Sequence, residues 1–311
     1  MPAFKKNTFI LFATLVLSTN IDAKSKFMEI NDFSKLEQIV KDLNSTKKTL
    51  LVMDNDDTLT MMSCPDQNDA ATCQYLGGPA WFSWQDNLMK TESHYKVTSD
   101  FDQLINISDL LFAMNDMGFT QASIPKTLQT LTDSGVKLLV LTARGAGTVS
   151  ATENQLEYLK STNSESKNFL TFISDNALIG KKSKSPSIAS PFKPKDCLAN
   201  TRTINYQQGV MYVAGQNKGE MLKCLLKKTK SSRIRNIIFI DDTLGNVEDV
   251  EKAFANDTNC NVIAIHYTAL KEHKIALTQG GNAAKYQFNA HKRWEAIKAT
   301  LKYELQKPVV D

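Results

Sequence analysis

Leu50-Leu51-Val52-Met53-Asp54-Asn55-Asp56-Asp57-Thr58-Leu59-Thr60 decides how this chain is read. Four apolar residues lead directly into Asp54-x-Asp56-x-Thr58. A short unbroken apolar run predicts a buried strand of a parallel sheet. The acidic cluster then falls at the carboxyl end of that strand, where open α/β sheets hold ligands. Three carboxylates within four residues repel one another unless a cation offsets them, so a divalent metal is the simplest resident. Taken alone, the stretch also fits an Asp-rich turn that caps a following helix.

Working outward, further apolar runs predict strands at Val136–Thr142, Gly209–Val213, Asn236–Ile240 and Asn261–Ile265. Helical spacing lies between them. Asn31-Asp32 precedes Phe33, Leu36, Ile39, Val40 and Leu43 at helical intervals, and Pro125–Ser134 opens through proline and closes at Gly135. Thr148–Leu159, Lys218–Lys228 and Val247–Ala255 read as crossover helices, and 288–305 as a final amphipathic helix with Trp294, Ile297 and Leu301 on one face. Phe169–Ile173 reads as extended, and Asn176–Gln208 as loops with a small hairpin. Strands alternating with helices predict an α/β fold with a doubly wound parallel sheet.

Four pieces then line up in order: Asp54/Asp56, Thr142 in Leu141-Thr142-Ala143-Arg144, Lys218 in Gly215-Gln216-Asn217-Lys218-Gly219-Glu220, and Ile240-Asp241-Asp242. Each alone has a plainer reading: Thr142 as a strand-end residue, Lys218 as a solvated helix residue, Asp241-Asp242 as a helix cap. Together they resemble the four motifs of the haloacid dehalogenase (HAD) superfamily, over roughly residues 48–266. The resemblance implies a Rossmann-like core, Mg²⁺ as cofactor, a small phosphorylated substrate, and phosphomonoester hydrolysis through an aspartyl-phosphate on Asp54. It implies Asp56 as general acid and base, Thr142 and Lys218 as phosphate-stabilising groups, and Asp54, the Asp56 backbone carbonyl and Asp241 as metal ligands. Asp242 and Asn246 are further metal-ligand candidates. Arg144 is either a substrate-binding or a structural arginine, and Asp57 receives no role.

The family inserts a cap between its first two motifs, and here that implies a mostly helical cap over 61–121, with the core built from 24–60 and 122–311. Trp81 and Trp84, near Gly77-Gly78-Pro79, either line a substrate pocket in the cap or pack its interior. The Leu76–Gln85 and Gly215–Leu222 phrases resemble an exported bacterial HAD-like family of unknown function, which names no substrate.

The chain's start agrees with export. Lys5-Lys6, the apolar run Phe9–Leu17 and the small residue Ala23 describe a secretory signal peptide over 1–23, too short in its apolar part to span a bilayer comfortably. Cleavage there leaves a secreted protein, periplasmic or extracellular, with no membrane anchor. The remainder carries 35 basic against 32 acidic residues, a balance too mild for nucleic-acid binding. Five cysteines stand at 64, 73, 197, 224 and 260. Cys64 and Cys73 either pair across a short loop or stay free, and no Cys-x-x-Cys or histidine spacing supports zinc. The competing function class is a secreted binding or effector protein that keeps the fold without turnover.

Overall fold

The computed structural model describes residues 25–43, 45–63, 75–161, 167–181, 183–188, 191–194, 197 and 202–306. The expected signal peptide and the Cys64–Cys73 loop lie outside the described residues.

A seven-stranded sheet is built from β1 (Ser25–Ile30), β2 (Thr49–Met53), β5 (Lys137–Thr142), β6 (Asn205–Gln207), β7 (Val210–Tyr212), β8 (Asn236–Asp241) and β9 (Asn261–Tyr267), in the order β1-β9-β8-β2-β5-β7-β6. All neighbours are parallel except β6 and β7, which are antiparallel. Every residue of β2 and β8 is buried, as both faces of a parallel sheet require. The strand alternation sorts their side chains. Leu51 and Met53 face one layer with α1 (Lys35–Lys41), α4 (Ile124–Asp133) and α6 (Phe169–Asn176). Leu50 and Val52 face the other with α7 (Lys218–Lys228) and α8 (Leu244–Phe254). The sheet is therefore doubly wound. From β2 the chain builds first toward β5 and later toward β8, so the β2–β8 edge is the topological switch point.

The β6–β7 hairpin turns through Gln208 and Gly209, both at positive φ (49° and 81°), the paired left-handed geometry of the two-residue hairpin turn. A Cβ on Gly209 would also sit 2.7 Å from the Ala177 Cβ, so the position has no room for a side chain.

One expectation is corrected. Phe169–Ile173 is helical, not extended. Its buried positions Phe169, Leu170, Phe172 and Ile173 fit helical spacing, and Asn168 caps the helix by accepting from the Thr171 N–H at 2.7 Å. The inserted segment leaves and rejoins the core through a small antiparallel pair, β3 (Thr60–Met62) and β4 (Met117–Phe119). It contributes α2 (Pro79–Leu88) and α3 (Phe101–Met114). Their apolar faces close on Leu277 and on Tyr286, Ala290 and Trp294 of α10 (Ala283–Tyr303). The helices α2, α3 and α10 thus share one apolar cluster. β1 was not anticipated, because Ser-Lys-Phe-Met-Glu-Ile on a half-exposed sheet edge shows no continuous apolar run.

Candidate active site

Parallel pairing brings the strand ends together. The Asp54 N–H donates to the Ile240 carbonyl at 2.9 Å, which sets Asp54 beside the end of β8. The Thr58 hydroxyl joins the two segments: it lies 3.4 Å from Asp54 Oδ2 and accepts from the Asp242 N–H at 3.0 Å. Asp54, Asp241 and Asp242 each offer a carboxylate oxygen, all within 4.8 Å of one another.

Lys218 is the cation in their midst. It is the first residue of α7, where a helix dipole disfavours positive charge. Two carboxylates offset that cost. Its ammonium donates to Asp54 Oδ1 and, at 2.7 Å, to Asp241 Oδ2. Burial alone would lower the lysine's pKa, but Asp241 and Asp54 outweigh it and hold the group charged. Asn217 caps the helix by accepting from the Glu220 N–H, fixing where the lysine emerges. Asp241 is further held by Asn246 Nδ2, 3.1 Å from each of its oxygens, and by the Thr243 N–H at 2.8 Å.

Charge is left over. Asp54, Asp56, Asp57, Asp241 and Asp242 face three side-chain cations, namely Lys218, Arg144 and Lys274, which pairs with Asp242. Burial pushes the Asp54 carboxyl well above its usual range, and neighbouring Asp241, Asp242 and Asp56 add to the rise against Lys218. Burial does the same to Asp57, reinforced by Asp242 and Asp56, and Asp57 Oδ2 has no hydrogen-bond partner. Three converging carboxylate oxygens in a place where burial penalises uncompensated negative charge fit one hard divalent cation. The residues present therefore suit Mg²⁺.

The remaining expected residues divide. Thr142 ends β5, fully buried, with its hydroxyl accepting from the Arg144 N–H at 3.1 Å. Arg144 lies against Asp56 in a two-pronged pair: Nε donates to Oδ2 at 2.9 Å and Nη2 to Oδ1 at 2.7 Å. Asn246 reaches the cluster only through Asp241. Trp81 and Trp84 are not brought to it. They are 0% and 4% exposed in the interior of the helical unit, with Leu104, Ile107 and Leu111 among their neighbours in one apolar cluster. The packing alternative for these two indoles is the one the structure has, because neither ring presents a free face to a ligand.

Sequence reasoning gave no role at the site to Lys274, Thr58 or His266. Lys274 comes from the short helix α9 (Lys271–Ile275). His266 Nε2 lies 3.2 Å from the Asp242 carbonyl. Thr58 was legible within its motif. Lys274 had no signal, since only the closure of the C-terminal segment brings it to Asp242.

No curated protein matches the chain. Among solved structures, cytosolic 5′-nucleotidase IIIB bound to cytidine is similar with a TM-score of 0.34 and 11% identity, over 85% of this chain and 92% of that one. A family model described as "Protein of unknown function (DUF2608)" matches residues 29–300. That match takes in every element from α1 to β9 and each residue of the acidic cluster, and the chain accordingly belongs to the DUF2608 family.

Proposed function

We propose that the chain is a HAD-type, Mg²⁺-dependent phosphohydrolase that cleaves a small phosphomonoester through Asp54. The observation that carries this reading is the meeting of Asp54, Asp241 and Asp242 around Lys218 at the switch point of the sheet.

Phosphoryl transfer asks chiefly for positioning and charge neutralisation. The Asp54 carboxylate attacks phosphorus, and the bond from phosphorus to the ester oxygen breaks. Asp56, 14% exposed at its side chain and held by Arg144, gives its proton to the departing oxygen. Asp56 then takes a proton from water as that water attacks the aspartyl-phosphate. Inorganic phosphate leaves and the Asp54 carboxylate is restored. Lys218 neutralises charge on Asp54 throughout, and the buried Thr142 hydroxyl donates a hydrogen bond to a phosphate oxygen. Asp54, Asp241, Asp242 and the Asp56 backbone carbonyl would hold Mg²⁺, which when bound offsets the charge gathering on the phosphoryl oxygens.

The proposed location is outside the cytoplasm, supported by the signal-like segment at 1–23. Among the described residues no helix is long and apolar enough to cross a membrane.

The test is phosphate release from a panel of phosphomonoesters, with and without Mg²⁺, by the mature chain and by Asp54→Asn. Metal-dependent release that falls about 10³-fold or more in the variant is expected. Equal release by the variant would overturn the aspartyl-phosphate route, and no release from any ester would favour a binding role.

A further inference from the structure

The Arg144 guanidinium is engaged on both sides. Toward the site, Nε and Nη2 grip both oxygens of Asp56. Away from it, Nη1 donates at 2.8 Å to Thr152 Oγ1 and at 2.8 Å to Gln155 Oε1, both on α5 (Val149–Tyr158). Four of its five N–H groups are thereby used within the protein. Its plane lies over the Phe112 ring, 4.4 Å from the centroid. Phe112 belongs to the last turn of α3, where the inserted helices return to the core.

Gln155 continues the path. Its Nε2 donates to the Phe112 carbonyl at 2.6 Å and to the Asn115 carbonyl at 3.1 Å. Asn115 in turn donates from Nδ2 to the Leu111 and Leu76 carbonyls, at 2.8 Å and 3.2 Å, tying the exit of the insertion to its first described turn. Arg144, Thr152 and Gln155 are each under a tenth exposed, so water does not compete for these bonds.

We infer that Arg144 is a positioning residue for Asp56, and that Gln155 ties its geometry to the α3 exit of the cap. This rests on the proposed role of Asp56 as general acid. A guanidinium locked on four sides fixes the carboxyl's plane, and so the direction in which Asp56 delivers its proton. The cap's seating is then part of the acid's alignment as well as of substrate enclosure.

The experiment uses a series of phosphomonoesters of graded leaving-group pKa, because a poor leaving group needs the proton and a good one does not. kcat/KM reports the steps up to leaving-group departure, so it isolates the acid. Arg144→Lys, Gln155→Met and Thr152→Val are compared with the unaltered chain. Gln155→Met and Thr152→Val each remove one of the guanidinium's contacts and leave the arginine's charge in place, which keeps the series readable where Arg144→Lys folds poorly. Expected is a loss of about 10²-fold on alkyl phosphates but about five-fold or less on p-nitrophenyl phosphate, within the usual range for acid catalysis. The dependence on leaving-group pKa steepens in parallel. Equal losses on both ester types, or a change confined to KM, would overturn the inference while leaving the phosphatase reading intact. An unaltered chain inactive on every ester would instead remove that reading.

Discussion

Lys218 Nζ and Asp241 Oδ2 lie 2.7 Å apart, with side-chain exposures of 1% and 0%. A charge pair so fully removed from water is sustained by its surroundings: Asn246 and the Thr243 N–H on the carboxylate, and Asp54 as a second acceptor for the ammonium.

Removing the lysine strands two buried carboxylates. Lys218→Met is expected to destabilise the fold by about 3–5 kcal/mol, the usual cost of breaking a buried pair by deleting one partner. Urea unfolding measures it. A loss under about 1 kcal/mol would mean that the carboxylates are neutral without the lysine.

The convergence of the Asp54, Asp241 and Asp242 carboxylates predicts stabilisation by metal alone. Adding Mg²⁺ in the absence of substrate should raise the melting temperature, equivalent to about 2.7 kcal/mol at a hundred times the dissociation constant. Asp241→Asn should abolish the shift. Differential scanning calorimetry across a Mg²⁺ series reads both.

Gly219 follows the lysine where α7 crosses α8. A Cβ there would fall 2.4 Å from the Asp249 carbonyl oxygen and 2.7 Å from the Ala253 Cβ. Gly219→Ala should therefore separate the helices and cost about 1–3 kcal/mol as an overpacking defect. Turnover should fall too, because the shift displaces Lys218. Unfolding curves and phosphate release on the same preparation separate the two effects.

His273 stacks on Tyr75, with ring centroids 4.8 Å apart, and burial lowers its pKa to about 4 from 6.5. Between those values the unfolded chain takes up a proton that the folded chain refuses. The residue's contribution to stability is therefore full above about pH 6.5 and is lost as pH falls toward 4, by at most about 3 kcal/mol. The difference in unfolding free energy between the unaltered chain and His273→Gln, followed from pH 7 to 4, isolates this from the carboxylates common to both. A difference independent of pH would refute it.

Cys197 and Cys224 are bonded, and Cys260 is free. The bridge joins the 183–204 region to the middle of α7 across a sequence separation of 27 residues. Chain entropy alone makes its removal cost about 3–4 kcal/mol. The double substitution Cys197→Ser with Cys224→Ser should lower the urea midpoint accordingly, and reductant should do the same to the unaltered chain.

The central strands were legible because parallel strands buried on both faces must be continuously apolar. Leu50–Met53, Leu138–Leu141 and Ile237–Ile240 announce themselves this way. α7 was legible over Lys218–Lys228, the bounds it has, while its Asn217 cap emerged only in the structure. β1 and α6 were not. An edge strand has one open side and mixed composition, and a five-residue apolar run carries too few periods to separate helix from strand. The tryptophans stayed open between two readings for a related reason. A large indole suits a pocket wall and a helical interior equally well, and only the packing of α10 against α2 and α3 closed the interior over them.

By itself the sequence determined the α/β class, the order of the motif-bearing strand ends, and the candidacy of Asp54, Asp56, Thr142, Lys218, Asp241 and Asp242. Residue type and local periodicity are sufficient for the class and the strand ends, and the candidacy of the six residues rests on their resemblance, in order, to the HAD motifs. Tertiary structure alone decided that Lys218 bridges Asp54 to Asp241 across 164 and 23 residues, that Arg144 grips Asp56 across 88, and that Lys274 reaches Asp242. Such partners are set by strand order and helix seating, and their spacing in sequence has no fixed relation to their distance in space.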